Sequence, residues 1–185
     1  KIRILTAVLP THMETFGSID VIARTKGEIF DGMSPTDIAV MPGDSPYLNE
    51  WQARAAGQTV TFGYSDTNDV QILDVSNRGF SGLSLRLKTP AGECELVSGL
   101  VGAHNASNLA ASVAACLACG MGLDAIIAQT GSIQAVPGRL DRIVLSDQTT
   151  LIDDSYNASP EAMRQALLTL ERSEGRRLAI LGPMA

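Results

Sequence analysis

The chain is expected to fold as an α/β protein with a β-rich insert, on three observations. Apolar strand-like runs alternate with amphipathic helical stretches at both ends of the sequence, the pattern of layered sheet-and-helix domains. Between them, residues 58–98 hold four strand-like segments in succession. Near the C-terminus, Leu151-Ile152-Asp153-Asp154-Ser155-Tyr156-Asn157-Ala158-Ser159-Pro160 reads as an apolar strand ending in two acids, a polar turn and a helix start. Ser159 suits the N-cap, Pro160 the first helical position, and Glu161 complements the positive helix end. Ligands of open α/β sheets collect beyond the carboxyl ends of strands, so Asp154 stands where a nucleotide ribose or a metal-bound water would sit. Taken singly, the same acids read as a solvated turn.

The elements follow in order. Residues 2–9 are expected as a buried strand, 12–16 as a loop, and 19–30 as a helix with Ile19, Ile22, Ala23 and Ile29 on one side. A short strand at 38–41 and a helix at 47–56, stopped by Gly57, come next. The insert comprises strands at 58–64, 70–75, 79–89 and 93–98. Leu83, Leu85 and Leu87 alternate cleanly with Ser84, Arg86 and Lys88, and Pro90-Ala91-Gly92 turns a hairpin. From His104 the period becomes helical, with Leu109, Val113 and Leu117 at four-residue intervals and Gly120 as a stop. A helix at 123–130, strands at 142–145 and 149–152, a helix at 160–174 and a strand at 177–181 complete the chain. A strand begins almost at residue 1 and another stops just before the end, so both ends are expected to be cut from something longer.

Composition narrows the function classes. The 185 residues suffice for one domain with a real core, and 45% apolar with 18% charged residues fits a soluble globular protein. A net charge of −6 argues against a nucleic-acid surface. No run of about 20 apolar residues occurs and residues 1–8 run straight into a strand-like pattern, so neither a membrane span nor a signal peptide is expected. Three cysteines make no disulfide framework; Cys116 and Cys119 lie in a small-residue helical stretch and read as core residues in a reducing compartment. The sequons at Asn105 and Asn157 are attributed to chance.

Four motifs stand out. The first is Thr11-His12-Met13-Glu14 with Phe16-Gly17-Ser18 and Lys26-Gly27-Glu28-Ile29-Phe30. The second is Gly102-Ala103-His104-Asn105-Ala106-Ser107-Asn108, opening a helix. The third is Val136-Pro137-Gly138-Arg139-Leu140, and the fourth Asp153-Asp154-Ser155-Tyr156-Asn157-Ala158. The residue chemistry is suggestive at each. A neutral His12 beyond a strand end can ligate a divalent cation. Asn105 and Asn108 project to one side of a helix start, and an amide matches the donor–acceptor edge of adenine, although either could simply cap the helix. The fork of Arg139 suits phosphate oxygens, and Asp154 can accept from ribose hydroxyls. Each has a plainer alternative: a loop histidine, a solvated lysine, a surface ion pair.

Together and in this order the motifs resemble those of the Mur ligases, and the DDSYNA and KGEIF wording is similar to the MurF-type branch, which adds D-alanyl-D-alanine. The resemblance implies the C-terminal portion of a central ATPase domain, a mostly parallel sheet flanked by helices. Residues 58–98 would form a separate small sheet within it, residues 1–178 would belong to this domain, and 179–185 would begin a truncated C-terminal one. It implies ATP and Mg2+ as cofactors, with UDP-N-acetylmuramoyl-tripeptide and D-alanyl-D-alanine as substrates, in a monomer of the cytoplasm. By resemblance, His12 and a carbamylated Lys26, one of three lysines in the chain, are catalytic and hold metal. His104, Asn105, Asn108, Arg139, Asp154, Tyr156 and Asn157 would bind the nucleotide. The chain departs from the family at Ala7, where an Asn is usual, and at Pro183, where an Asp is usual. It contains no G-x-x-x-x-G-K-[ST] loop; the family carries that phosphate cradle upstream of the segment matching Lys1, so this chain alone is expected to be inactive. Two alternatives are another ligase of the superfamily, of the folylpolyglutamate or cyanophycin synthetase type, and a non-catalytic module that lost the phosphate site.

Overall fold

A computed structural model describes residues 1–10, 13–146 and 149–182. Its main body is one six-stranded sheet in sequence order: β1 (Ile2–Ile4), β2 (Ile38–Pro42), β3 (Gln58–Gly63), β4 (Val70–Asn77), β5 (Leu83–Thr89) and β6 (Gly92–Ser98). β1 to β4 run parallel, and β4 to β6 are antiparallel. The sheet is therefore mostly parallel, as the resemblance implies. The β-rich segment does not stand apart, because β3 pairs with β4 through Phe62 opposite Val70 and Gly63 opposite Gln71. That short parallel junction joins segments with no hairpin signal between them.

The sheet is covered on both faces. On one, α4 (Asn105–Ala118) and α5 (Leu123–Thr130) bury Val40, Val60, Phe62, Leu85 and Leu96 together with Leu109, Val113 and Ile126. On the other, α2 (Ile19–Gly27) and α3 (Leu48–Arg54) enclose Leu5, Ala23, Phe30, Ala39, Met41 and Trp51. Val40 faces one cluster while its neighbours Ala39 and Met41 face the other, the two-sided burial expected of a parallel strand. The small residues of α4, Ala106, Ala110, Ala111 and Ala114, let its backbone approach the sheet closely.

Local signals set the ends of several elements. Ser18 Oγ accepts from Val21 N–H at 3.3 Å to start α2. Residues 13–16, expected as a loop, form the short helix α1 (Met13–Phe16). The expected helix over 19–30 tightens at Gly27 into a single 3-10 turn over 28–30. Gly120, at φ +82°, closes α4, with Met121 N–H reaching Cys116 O.

The remaining chain forms a second, separate sheet, the antiparallel ribbon of β7 (Asp141–Ser146) and β8 (Thr149–Asp153), followed by α6 (Pro160–Glu171). Ser159 caps α6 through Ala162 N–H and Pro160 occupies its first turn, as expected. The strand expected at 177–181 is not formed. A strand needs a neighbour to take its backbone hydrogen bonds, and none lies beside it among the described residues, so Leu178 and Ile180 are 74% and 87% exposed.

Candidate nucleotide site

The site grows from a glycine-led helix start. Gly102 adopts φ +97°, turning the chain so that α4 begins at Asn105 with His104 at the capping position. Asn105 Nδ2 donates back to Val101 O at 2.8 Å, and Asn105 Oδ1 accepts from Asn108 Nδ2 at 2.9 Å. Asn105 is therefore largely occupied in shaping the helix start. Asn108 is exposed, and among the described residues nothing donates to its Oδ1, which leaves it the better placed of the two to meet a ligand.

The third and fourth motifs meet at this helix start. Gly138, at φ +77°, accepts at its carbonyl from Tyr156 N–H at 3.0 Å, and a Cβ there would lie only 3.3 Å from Tyr156. Arg139 lies with Cζ 4.2 Å from the Tyr156 ring centroid, a cation–π stack that fixes the plane of the guanidinium. Asp154 Oδ1 accepts from Leu140 N–H at 3.1 Å. The Asp154 charge also reaches His104, where it opposes a stronger effect: burial of the imidazole lowers its pKa below the usual 6.5. His104, Arg139, Asp154 and Tyr156, expected from separate motifs, thus converge. Asn157 is nearby in sequence, but its Oδ1 accepts from Ala158 N–H, a turn-forming role.

Lys26 lies elsewhere. It is exposed near the end of α2 and donates from Nζ to Ala7 O at 3.0 Å, beyond the carboxyl end of β1. His12 lies outside the described residues. Among the described residues no three His, Cys, Asp or Glu side chains gather into a metal site, and an ammonium has no lone pair to offer. Lys26 as it stands does not fit a cation.

Between Lys26 and the start of α4 opens a hollow of about 510 Å³ at the carboxyl ends of β1, β2 and β3. Ala7, Pro42, Asp44, Tyr47, Tyr64 and Ser107 are among its lining residues. Asp44 was not singled out from the sequence, yet it is the most connected acid here. It accepts from Ser65 N–H at 3.0 Å, Asn68 Nδ2 at 2.8 Å and Tyr64 N–H, so one carboxylate organises the β3–β4 connection. The signal was available, since Pro42-Gly43-Asp44 places an acid just past a strand, as Asp153-Asp154 does. Burial and the Asp44 charge together raise the Tyr64 phenol above its usual pKa, keeping it a proton donor.

Comparisons with known proteins agree with this architecture. The Mur ligase middle domain matches residues 1–116. The UDP-N-acetylmuramoyl-tripeptide–D-alanyl-D-alanine ligase of Escherichia coli K12 is 36% identical over 179 residues, covering 94% of this chain and 39% of that protein. Its Bacillus subtilis counterpart is 30% identical, with 98% and 39% covered. A crystal structure of MurF from Acinetobacter baumannii superposes with a TM-score of 0.85 at 29% identity, covering 95% of this chain and 38% of that one. MurF from Thermotoga maritima in complex with ADP gives 0.79 at 28% identity, with 95% and 40% covered. The chain spans about two fifths of the length of these relatives. With the middle-domain match extending over more than half of its residues, this chain belongs to the Mur ligase family.

Proposed function

We propose that this chain is the nucleotide-binding portion of an ATP-dependent ligase that joins D-alanyl-D-alanine to a UDP-N-acetylmuramoyl-tripeptide in peptidoglycan precursor synthesis. The observation that carries the reading is the meeting of three sequence-distant motifs at the start of α4: His104, Arg139 and Asp154–Tyr156 come together on one side of the fold. The 36% identity to the E. coli ligase, spread over 94% of the chain, supports the choice of branch.

Within this reading the residues divide the work. Asn108 reads the adenine edge, with Asn105 holding the helix start beneath it. Asp154 keeps Oδ2 for ribose while Oδ1 holds Leu140. Arg139, its plane set by Tyr156, meets phosphate oxygens, and a neutral His104 closes the base side without adding charge. Asn157 lines the same region. ATP would phosphorylate the tripeptide carboxylate, and the dipeptide amine would then attack the acyl phosphate and release phosphate. Positioning and charge stabilisation are what the protein supplies to such a transfer.

His12 and Lys26 are proposed as magnesium ligands, Lys26 only after carbon dioxide has converted its amine to a carbamate. In its ammonium form Lys26 does not fit a cation. A cytoplasmic, monomeric enzyme is part of the same proposal; the structure adds that no described helix is long and apolar enough to cross a membrane. The sequence division at 178 would keep the β7–β8 ribbon with the central domain.

The test is ADP release by the protein that carries this chain, offered UDP-N-acetylmuramoyl-tripeptide with D-alanyl-D-alanine. Release that requires both substrates supports the proposal. Release with a folate and glutamate instead would move the chain to the folylpolyglutamate branch, and ADP release with neither pair, despite a bound nucleotide, would refute ligase activity.

A further inference from the structure

Leu140 is the only non-glycine residue with positive φ among the described residues, at +50°. Leucine avoids this region because its Cβ crowds the backbone, so something must hold it there. Three contacts do. Its N–H donates to Asp154 Oδ1 at 3.1 Å, its predecessor Arg139 N–H donates to Val136 O at 3.0 Å, and its side chain is buried at 7% exposure. The buried side chain ends on Gly102, where a Cβ would come within 3.3 Å of Leu140 Cδ1 and 2.6 Å of the His104 ring. One residue thus touches all three segments of the site: the glycine-led start of α4, the 136–140 turn and the end of β8.

We propose that Leu140 is a positioning residue of this pocket, its left-handed backbone aiming Arg139 over Tyr156 and its side chain fixing that turn against Gly102. The inference rests on the nucleotide reading for its consequence, though not for its geometry. In an extended or right-handed conformation, residue 140 could not keep both its N–H on Asp154 and its side chain on Gly102. The guanidinium of Arg139, one residue earlier, would lose its fixed direction. The strain is tolerated because a carboxylate hydrogen bond and apolar burial act on the same residue.

Two substitutions of similar volume separate this role from simple core filling. Leu140→Met keeps an unbranched Cβ that tolerates positive φ about as well as leucine, whereas Leu140→Ile is β-branched and strongly disfavours it. Two readouts apply to the protein that carries this chain: the ring-current shift of the Arg139 side-chain protons by NMR, and the affinity for adenosine monophosphate by titration. Leu140→Met should keep the Arg139 shift and bind within about twofold of the parent, while Leu140→Ile should lose the shift and bind about tenfold more weakly. If both variants keep the shift, or both lose it alike, Leu140 acts only by filling space and the inference falls. Should the protein that carries this chain not bind the nucleotide at all, the nucleotide reading fails, and the Arg139 shift still decides the role of Leu140.

Discussion

Gly27→Ala tests whether packing or helix propensity governs the segment that carries Lys26. Gly27 ends α2 with ordinary helical backbone, φ −63°, so alanine there would on propensity alone stabilise the helix by about 0.5–1 kcal/mol. The packing says otherwise. A Cβ at Gly27 would lie 2.6 Å from Trp51 Cδ1 and 2.9 Å from its Nε1. Trp51 is fully buried, and its Nε1 donates to Ala23 O at 3.1 Å, so the indole cannot swing aside without losing that bond. Forcing a methyl into a filled core costs about 1–3 kcal/mol, and disturbing the indole hydrogen bond adds about 1. The net expectation is a loss of about 1–3.5 kcal/mol, which for a chain of this size lowers the melting midpoint by about 2–14 °C. Thermal and urea unfolding of the parent and Gly27→Ala would measure it. The double variant with Trp51→Phe, which removes the indole edge, should show favourable coupling, because the new methyl then occupies released space. A Gly27→Ala variant more stable than its parent would refute the reasoning, since propensity would then outweigh the contact.

Other consequences are equally direct. His104 titrates below 6.5 because of burial, so the unfolded chain binds the proton more readily and stability falls as pH drops through 6.5. In Asp154→Asn the opposing charge is gone and the His104 midpoint should fall further; a rise would contradict the assignment. Asp44→Ala removes the shared acceptor of Tyr64, Ser65 and Asn68 and should cost about 2 kcal/mol, with loss of amide-exchange protection at Ser65. Retained protection would show that the connection holds itself.

What could be read from the sequence was what depends on neighbours along the chain. Ser159-Pro160 announces α6 because an N-cap and a first-turn proline act within three residues of themselves, and the structure has both. Leu83, Leu85 and Leu87 alternate with polar residues because β5 buries one face, and they are all within 1% of full burial. The merging of the β-rich segment into the main sheet was not legible, because it depends on Phe62–Val70 and Gly63–Gln71 pairing in parallel, and parallel pairing leaves no turn signature. The failed strand at 177–181 makes the complementary point. Leu178, Ile180 and Leu181 have strand-like character, but a strand exists only beside another, and the sequence of the strand cannot state whether one is there.

The same divide runs through the site. Motif wording was enough to single out His104, Arg139, Asp154 and Tyr156, and the fold brings them together. What the wording could not assign was the labour within each motif. Asn105 and Asn108 look equivalent on a helix start, yet one turns back to Val101 and the other faces outward, a distinction created by the turn at Gly102. Asp44 and Asp154 likewise sit at equivalent strand ends. Asp154 spends one oxygen on Leu140, while Asp44 is taken up by three donors from the next connection. A strand-end acid is therefore a position that the fold offers, and the count of internal donors already bound to it decides how much carboxylate is left for a ligand. By that criterion Asp154, with Oδ2 uncommitted, is the one of these two acids that can still receive a hydroxyl, and Asp44 is the one that keeps the wall of the hollow in place.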